Sequence, residues 1–197
     1  MTDLALPIVL ASTSPYRRAL LARLGLAFTA LAPLVDEAEL PDEAPRDRAL
    51  RLARAKAASI AAQQPQAVVI GSDQVASLTV DGVTQVLHKP GNRATCREQL
   101  LAMSGRVARF DTAACLRHGH EELTHVDVTL VHLRPLTPTE VDHYIDREPA
   151  FDCAGGFKCE GLGVSLFRAI ETHDPTALVG LPLIWLCEAL RRMGVRV

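Results

Sequence analysis

The hydrophobic pattern changes period repeatedly along the chain. "PIVLAS" is a short unbroken apolar run, which predicts a buried first strand. It leads into "SPYRRALLARLG", where Leu20, Leu21 and Leu24 fall on one helical face. There Ser14 suits the N-cap, Pro15 the first helical position and Gly25 the stop. "AFTALAP" predicts a second short strand, and the acidic, proline-bearing "VDEAELPDEAP" a loop. "RDRALRLARAKAASIAAQ" is made of strong helix formers and predicts a long helix. "QAVVIGS" predicts another buried strand. "QVASLTVDGVTQVLHKP" predicts a hairpin that turns at Asp81-Gly82. "NRATCREQLLAMSG" predicts a helix capped by Asn92 and closed by Gly105. Two long alternating runs flank "HGHE" and predict a second hairpin. "TPTEVDHYIDR" begins with the Thr137–Glu140 pattern of a capping box, and "DPTALVGLPLIWLCEALRRMG" reads as an apolar helical tail.

Helices alternate with strands early, and antiparallel hairpins occupy the middle. This order predicts an α/β, mixed α+β fold with helices packed on a mixed sheet. The strands are long for 197 residues. We therefore expect a single domain over residues 1–197, with two lobes sharing an elongated sheet and a central cleft. A hydrophobic content of 48% supplies the core such a domain needs. No apolar run reaches the roughly 20 residues of a membrane span, and "MTDLALPIVLAS" lacks the basic start of a signal peptide. The five cysteines are odd in number and form no C-x-x-C pair. That disfavours a disulfide framework or a zinc site and points to a cytoplasmic protein. A net charge of −2 and 4% aromatic residues argue against a nucleic-acid or anionic-membrane surface. An anion site would have to be built locally.

Five stretches have the residue types for chemistry. In "ASTSPYRR", Ser12 and its neighbours meet a helix N-terminus, with Arg17 and Arg18 adding fixed charge that suits a phosphate. A plain cap followed by solvated arginines would look the same. In "VVIGSDQVA", Asp73 follows an apolar strand at the place where ligands bind in open sheets; it is suited to a metal or to accepting a proton. A turn aspartate bonding its own backbone is the alternative. The chain holds only three lysines, Lys56, Lys89 and Lys158, among many arginines; each is a candidate point-charge contact or a solvated side chain. "DCAGGFKCEGLG" alternates glycines with Lys158 and Glu160, as a loop approaching a ligand does and as an ordinary ordered loop also does. Asp36 and Glu37 in "VDE" offer metal-type oxygens or a solvated loop. There is no P-loop, no H-E-x-x-H and no G-x-S-x-G.

Taken in order, "LASTSPYRRALLARLG", "VDE", "RLARAKA", "VVIGSDQVA", "HKPGN", "LLAMSG", "CAGGFKCEGLG" and "LVGLPL" resemble the Maf family of nucleoside triphosphate pyrophosphatases. Single motifs of this kind are weak, and the ordered set is specific. "GSDQV" and "GFKCEG" are most similar to the subgroup acting on 7-methyl-GTP. The dTTP/UTP subgroup has Arg, Thr and Gln where this chain has Tyr16, Gln74 and Glu160. One departure is "MSGRVARF", which lacks the histidine frequent in the family.

The resemblance implies a fold like that of the inosine triphosphate pyrophosphatases, with substrate between the lobes. It also implies Mg²⁺ or Mn²⁺ and allows a homodimer. Asp73 becomes the catalytic carboxylate and a metal ligand, with Glu37 as the second ligand. Ser12, Tyr16, Arg17, Arg18, Lys56, Gln74, Lys89, Lys158 and Glu160 become substrate contacts. The implied reaction splits the α–β phosphate bond to give a monophosphate and pyrophosphate. Its rivals are a dTTP/UTP pyrophosphatase and a weakly active nucleotide-binding regulator of cell division.

Overall fold

The computed structural model describes residues 6–197. Residues 1–5 of the stretch read as the chain start lie outside the described residues. The elements follow in the order β1 (Ile8–Ala11), α1 (Pro15–Ala22), β2 (Thr29–Leu31), α2 (Pro45–Ala61), β3 (Val68–Val80) and β4 (Val83–Leu87). Then come α3 (Arg93–Met103), β5 (Val107–His118), β6 (Glu121–Leu133), α4 (Pro138–Arg147), β7 (Phe167–Glu171) and α5 (Leu183–Arg192). The strands form one seven-stranded sheet in the order β2-β1-β3-β5-β6-β7, with β4 paired to β3. It is mixed, as expected. β1 runs parallel to β2 (Val9↔Thr29) and to β3 (Val9↔Val69), whereas β3–β4 and β6–β7 are antiparallel. The alternation of early helices and strands produces the parallel part, and the hairpins produce the rest.

Two compact units divide the chain. The first holds the residues up to Gln74, Thr112–Asp127 and Asp174–Val197; the second holds Val75–Asp111 and Val128–His173. In the first unit, Ile8, Leu10, Leu21, Ile70, Leu116 and Leu186 form the heart of the core. α1 joins that core through Leu20 and Leu21. Its start is fixed by Ser14, whose side chain accepts from the Arg17 N–H at 3.3 Å. Burial along α2 falls on Ala49, Leu52, Ala53, Lys56, Ala57 and Ile60. That spacing is one helical face, and Lys56 is its single charged member.

The second unit packs around aromatic rings. Phe157 meets Phe110 and Phe167 edge-to-face, with centroids 5.5 and 4.8 Å apart. α3 starts at Asn92, whose Oδ1 accepts from Thr95 N at 3.0 Å. The β3–β4 hairpin turns at Asp81 (φ 51°) and Gly82 (φ 79°), the pair of positive φ values a two-residue turn requires. In α4, Thr137 and Glu140 form the full capping box. Hydrogen bonds from the Thr137 backbone and hydroxyl, then from Arg134, hold the Glu140 carboxyl down at about 2. Its folded value is therefore below its unfolded one. The box contributes fully above the ordinary carboxyl range near 4.5 and is lost as pH falls toward 2. Glu140→Gln is therefore expected to lower Tm at pH 7 and to match the wild type near pH 2. Melting curves at the two pH values check this; equal differences at both would reject it.

Two expectations need correction. The apolar run at Val68 does not stop at Ser72: β3 runs unbroken through Gly71, Ser72, Asp73 and Gln74 to Val80. Asp73 is thus a mid-strand residue, neither at a strand end nor in a turn. Glycine at 71 permits this, because a Cβ there would collide with Ala53 O and Ala57 N of α2. The strand therefore lies directly on the helix backbone. The second correction is β7, which the sequence did not single out. Ala169 and Ile170 pair with His132 and Val131 at a partly exposed edge, so the buried periodicity that marks a strand is missing.

Candidate active site

The site in the first unit grows out of the two-residue period of β3. Gly71 and Asp73 point toward α2, whereas Ser72 and Gln74 point to the opposite face. On the α2 side, the Lys56 ammonium lies 2.6 Å from Asp73 Oδ1 and 2.7 Å from Glu37 Oε1. Lys56 and Asp73 are buried, 6% and 8% exposed, while Glu37 is exposed. A buried ion pair contributes little net stability, since desolvation offsets most of the attraction. Its presence on an apolar helix face therefore points to chemistry. The loop bearing Glu37 is not simply solvated. Arg48 donates to the Glu37 carbonyl at 3.2 Å and also pairs with Glu39. Arg51 makes two bonds to Glu43 and one to Ala38 O. Those two arginines, on successive turns of α2, bring the Glu37 carboxylate to Lys56. Sequence reasoning missed both, although the acidic loop facing an arginine-rich helix was the available signal.

On the other face, the segment 174–182 is clamped by polar side chains. Asp174 is buried and accepts from Thr176 N at 2.9 Å and Ile184 N at 2.7 Å, which folds the segment onto the start of α5. Gly180, at φ 123°, presents its carbonyl to Ser72 Oγ at 3.0 Å and to Arg17 Nε at 2.9 Å. Gln74 Nε2 reaches Leu178 O, Ala177 O and Thr112 Oγ1 at 3.0, 3.1 and 2.9 Å. The Gln74 amide nitrogen is thus committed to two backbone carbonyls and the Thr112 hydroxyl, and Oε1 is the atom it has left for a ligand. Asp73 and Gln74 are neighbours in sequence but leave the strand in opposite directions.

The helix-start cradle is built partly as expected. Ser12 is buried and accepts from Ser14 N at 3.1 Å, while Ser14 accepts from Arg17 N. Two of the cradle's backbone donors are therefore used within the loop. The stronger anion group is Arg17. With Nε tied to Gly180, its two Nη groups form a planar fork of fixed orientation. Burial lowers its pKa, and the nearby Asp73 and Glu37 oppose that shift. Tyr16 is half-buried and Arg18 exposed on the same helix.

Lys89, Lys158 and Glu160 belong to the second unit. Lys89 is exposed between β4 and α3, next to a His88 carbonyl held by Gln99 Nε2 at 3.0 Å. Lys158 is half-buried, and Glu160 is exposed. The Cys159 thiol lies 3.4 Å from Glu160 Oε2. Burial and the Glu160 charge push that thiol up to about 12, so it keeps its proton at neutral pH and donates to the carboxylate. Among the described residues, no three His, Cys, Asp or Glu side chains form a metal cage, and no helix is long and apolar enough to cross a membrane. No disulfide links the five cysteines among those residues.

Known proteins carry the same pattern. The family model described as "Maf-like protein" matches residues 7–193. A protein of Xanthomonas oryzae pv. oryzae (strain MAFF 311018), named 7-methyl-GTP pyrophosphatase, is 58% identical over 187 residues, covering 95% of this chain and 96% of that one. A Bordetella pertussis protein of the same name is 49% identical, covering 95% and 92%. Among solved structures, the Staphylococcus aureus Ham1 protein superposes with a TM-score of 0.52 at 14% identity, over 95% of this chain and 99% of that one. That likeness concerns the fold alone and agrees with the expected architecture. The match of the family model over residues 7–193, together with the close relatives, identifies this chain as a member of the Maf family.

Proposed function

We propose that this protein is a nucleoside triphosphate pyrophosphatase that hydrolyses 7-methyl-GTP between the α- and β-phosphates. The observation that carries the reading is the buried Lys56 ammonium held between Asp73 and Glu37. Two carboxylates and a cation converge at one point, and two relatives carrying the activity in their names are 58% and 55% identical to this chain. Water attacks the α-phosphorus, and Asp73 accepts its proton. The bridging oxygen leaves with the β-phosphorus, so the products are a monophosphate and pyrophosphate. A triphosphate repels an incoming nucleophile, and positive groups fixed in advance lower that barrier. Arg17 supplies a bidentate fork for phosphate oxygens, and Lys56, Arg18 and Lys89 supply point charges. Tyr16 covers the face of the cationic methylated base, a contact worth about 0.5–2 kcal/mol. Glu160 accepts from the guanine edge, and Gln74 adds its Oε1.

The donor set fits a hard divalent cation. Asp73 and Glu37 bring two carboxylates together around the Lys56 ammonium, and Mg²⁺ is commonly held by one or two carboxylates with substrate phosphates completing its shell. Asp73 and Glu37 would hold Mg²⁺ or Mn²⁺, which supplies further neutralisation of the phosphate charge. Unlinked cysteines suit a cytoplasmic setting.

Bond choice is tested by phosphorus NMR of the products formed in ¹⁸O-water. The expected result is pyrophosphate plus 7-methyl-GMP, with the label in the monophosphate. Orthophosphate and a diphosphate as first products would reject the reading, and label in pyrophosphate would move the attack to the β-phosphorus.

A further inference from the structure

The loop carrying Lys158 and Glu160 is pinned to α4 by a hydroxyl–carboxylate pair that the proposed chemistry does not use. Tyr144 is only 2% exposed. Its hydroxyl accepts from Lys158 N at 3.1 Å and donates to Glu148 Oε2 at 3.2 Å. The same carboxylate oxygen accepts from Gly163 N at 3.2 Å. Between these two anchor points, the Lys158 carbonyl accepts from Gly161 N and Gly163 N at 3.2 and 3.1 Å. Side chains are excluded at two positions of the turn, Gly161 and Gly163. A Cβ at Gly161 would run into the Glu148 carboxylate, and one at Gly163 into the Lys158 carbonyl. Burial pushes the Tyr144 phenol well up, so it stays protonated and keeps donating to Glu148.

The segment 158–163 is therefore fixed at its first residue by Tyr144 and at its last by Glu148. Glu160 lies between the two anchors, exposed, with its carboxylate also held by the Cys159 thiol. Neither anchor is surplus packing. Phenylalanine would fill the volume of Tyr144 equally well, yet a hydroxyl is present at the one place where it meets a backbone donor and a carboxylate together.

We propose that Tyr144 and Glu148 are positioning residues for substrate selectivity, setting the Lys158–Gly163 backbone and through it the direction in which the Glu160 carboxylate points. This inference rests on Glu160 reading the base. A side chain that discriminates by hydrogen bonding must be held more closely than one that only supplies charge. A loop anchored by a hydrogen bond at each end and closed by two more within it meets that need.

The test is a double-mutant cycle read on two substrates, 7-methyl-GTP and UTP. Tyr144→Phe removes only the hydroxyl, and Glu148→Gln keeps shape while removing the charge. Each is expected to lower kcat/KM for 7-methyl-GTP about three- to tenfold, mainly through KM, with UTP changed less than about twofold. In a Glu160→Gln background, Tyr144→Phe is expected to add nothing to the selectivity loss, because it acts through the carboxylate already removed. Equal losses on both substrates accompanied by a lower Tm would mean the pair is only structural, and would overturn the proposal. Undiminished action of Tyr144→Phe in the Glu160→Gln background would overturn it too. If Glu160→Gln alone leaves the substrate ratio unchanged, the base-reading assignment fails first and the positioning role falls with it.

Discussion

An Asp73→Asn protein is expected to turn over 7-methyl-GTP at least about a hundredfold more slowly than wild type, the range in which removal of a general base falls. Asparagine keeps the shape of the side chain but cannot take a proton from water, and it removes one of two negative charges from the Lys56 ammonium. Breaking a buried ion pair from one side ordinarily costs about 3–5 kcal/mol, because the other charge is left stranded. Here Lys56 retains Glu37 at 2.7 Å, and that carboxylate is exposed, so the destabilisation falls below that range. The variant should fold, which circular dichroism and a melting curve establish before kinetics are read. The loss is expected in kcat, since Lys56, Arg17 and the base contacts still bind nucleotide. Near-wild-type turnover by a folded Asp73→Asn protein would remove Asp73 from the chemistry. A large rise in KM at constant kcat would make it a binding residue instead.

Much of the fold was legible because its signals are local. Ser14, Asn92 and Thr137 were read as caps, and each accepts the expected backbone N–H. Asp81-Gly82 was read as a tight turn and has the two positive φ values that define one. The boundary that failed is instructive. "GSDQ" looks like a break because it is polar after three apolar residues. Yet Gly71 is there for close packing on α2, Ser72 and Gln74 for the carbonyls of 177–180, and Asp73 for Lys56. A strand buried on both faces can carry polar side chains when each meets a partner, and those partners are far away in sequence.

The candidate site divides in the same way. Lys56 had a readable signal, a charge on the buried stripe Ala49–Leu52–Ala53–Ala57–Ile60. A charged residue on such a face needs a counter-ion, and Asp73 and Glu37 provide two. By contrast, Arg48 and Arg51 act by holding a loop, Thr112 by helping Gln74 hold the 177–178 backbone, and Tyr144 by holding another loop. No motif marks such residues, because their partners are backbone atoms with no residue identity. Asp73 and Gln74, adjacent in "VVIGSDQVA", stand on two opposite faces of β3. Proximity along a strand places alternate side chains together and adjacent ones apart.

That separation bears on the second large effect, Glu160→Gln, which is expected to lower kcat/KM for 7-methyl-GTP by about ten- to a hundredfold relative to UTP. Glutamate can accept from both donors on a guanine edge, and its charge favours the cationic methylated base. Glutamine has the same size but opposes one of those donors with its own NH₂ and carries no charge. Glu160 is exposed in the free protein, so the substrate must exclude water from it for a charged hydrogen bond to approach about 1.5–3 kcal/mol. The expected change therefore spans a tenfold range rather than one value. Tyr16→Arg should act in the same direction by withdrawing the aromatic face and placing a positive charge beside a positive base. Gln74→Thr is the wrong companion. It would strip the donors from Ala177 and Leu178 and disturb the segment that orients Arg17, mixing selectivity with catalysis. The clean experiment keeps Gln74 and compares wild type, Glu160→Gln and Glu160→Gln/Tyr16→Arg in one tube holding both nucleotides. Their relative rates of disappearance are followed under saturating Mg²⁺. If wild type consumes UTP first, or if Glu160→Gln slows both nucleotides by the same factor, Glu160 does not read the base. The first outcome would also remove 7-methyl-GTP as the preferred substrate; the second would leave its selection to the face of the base at Tyr16.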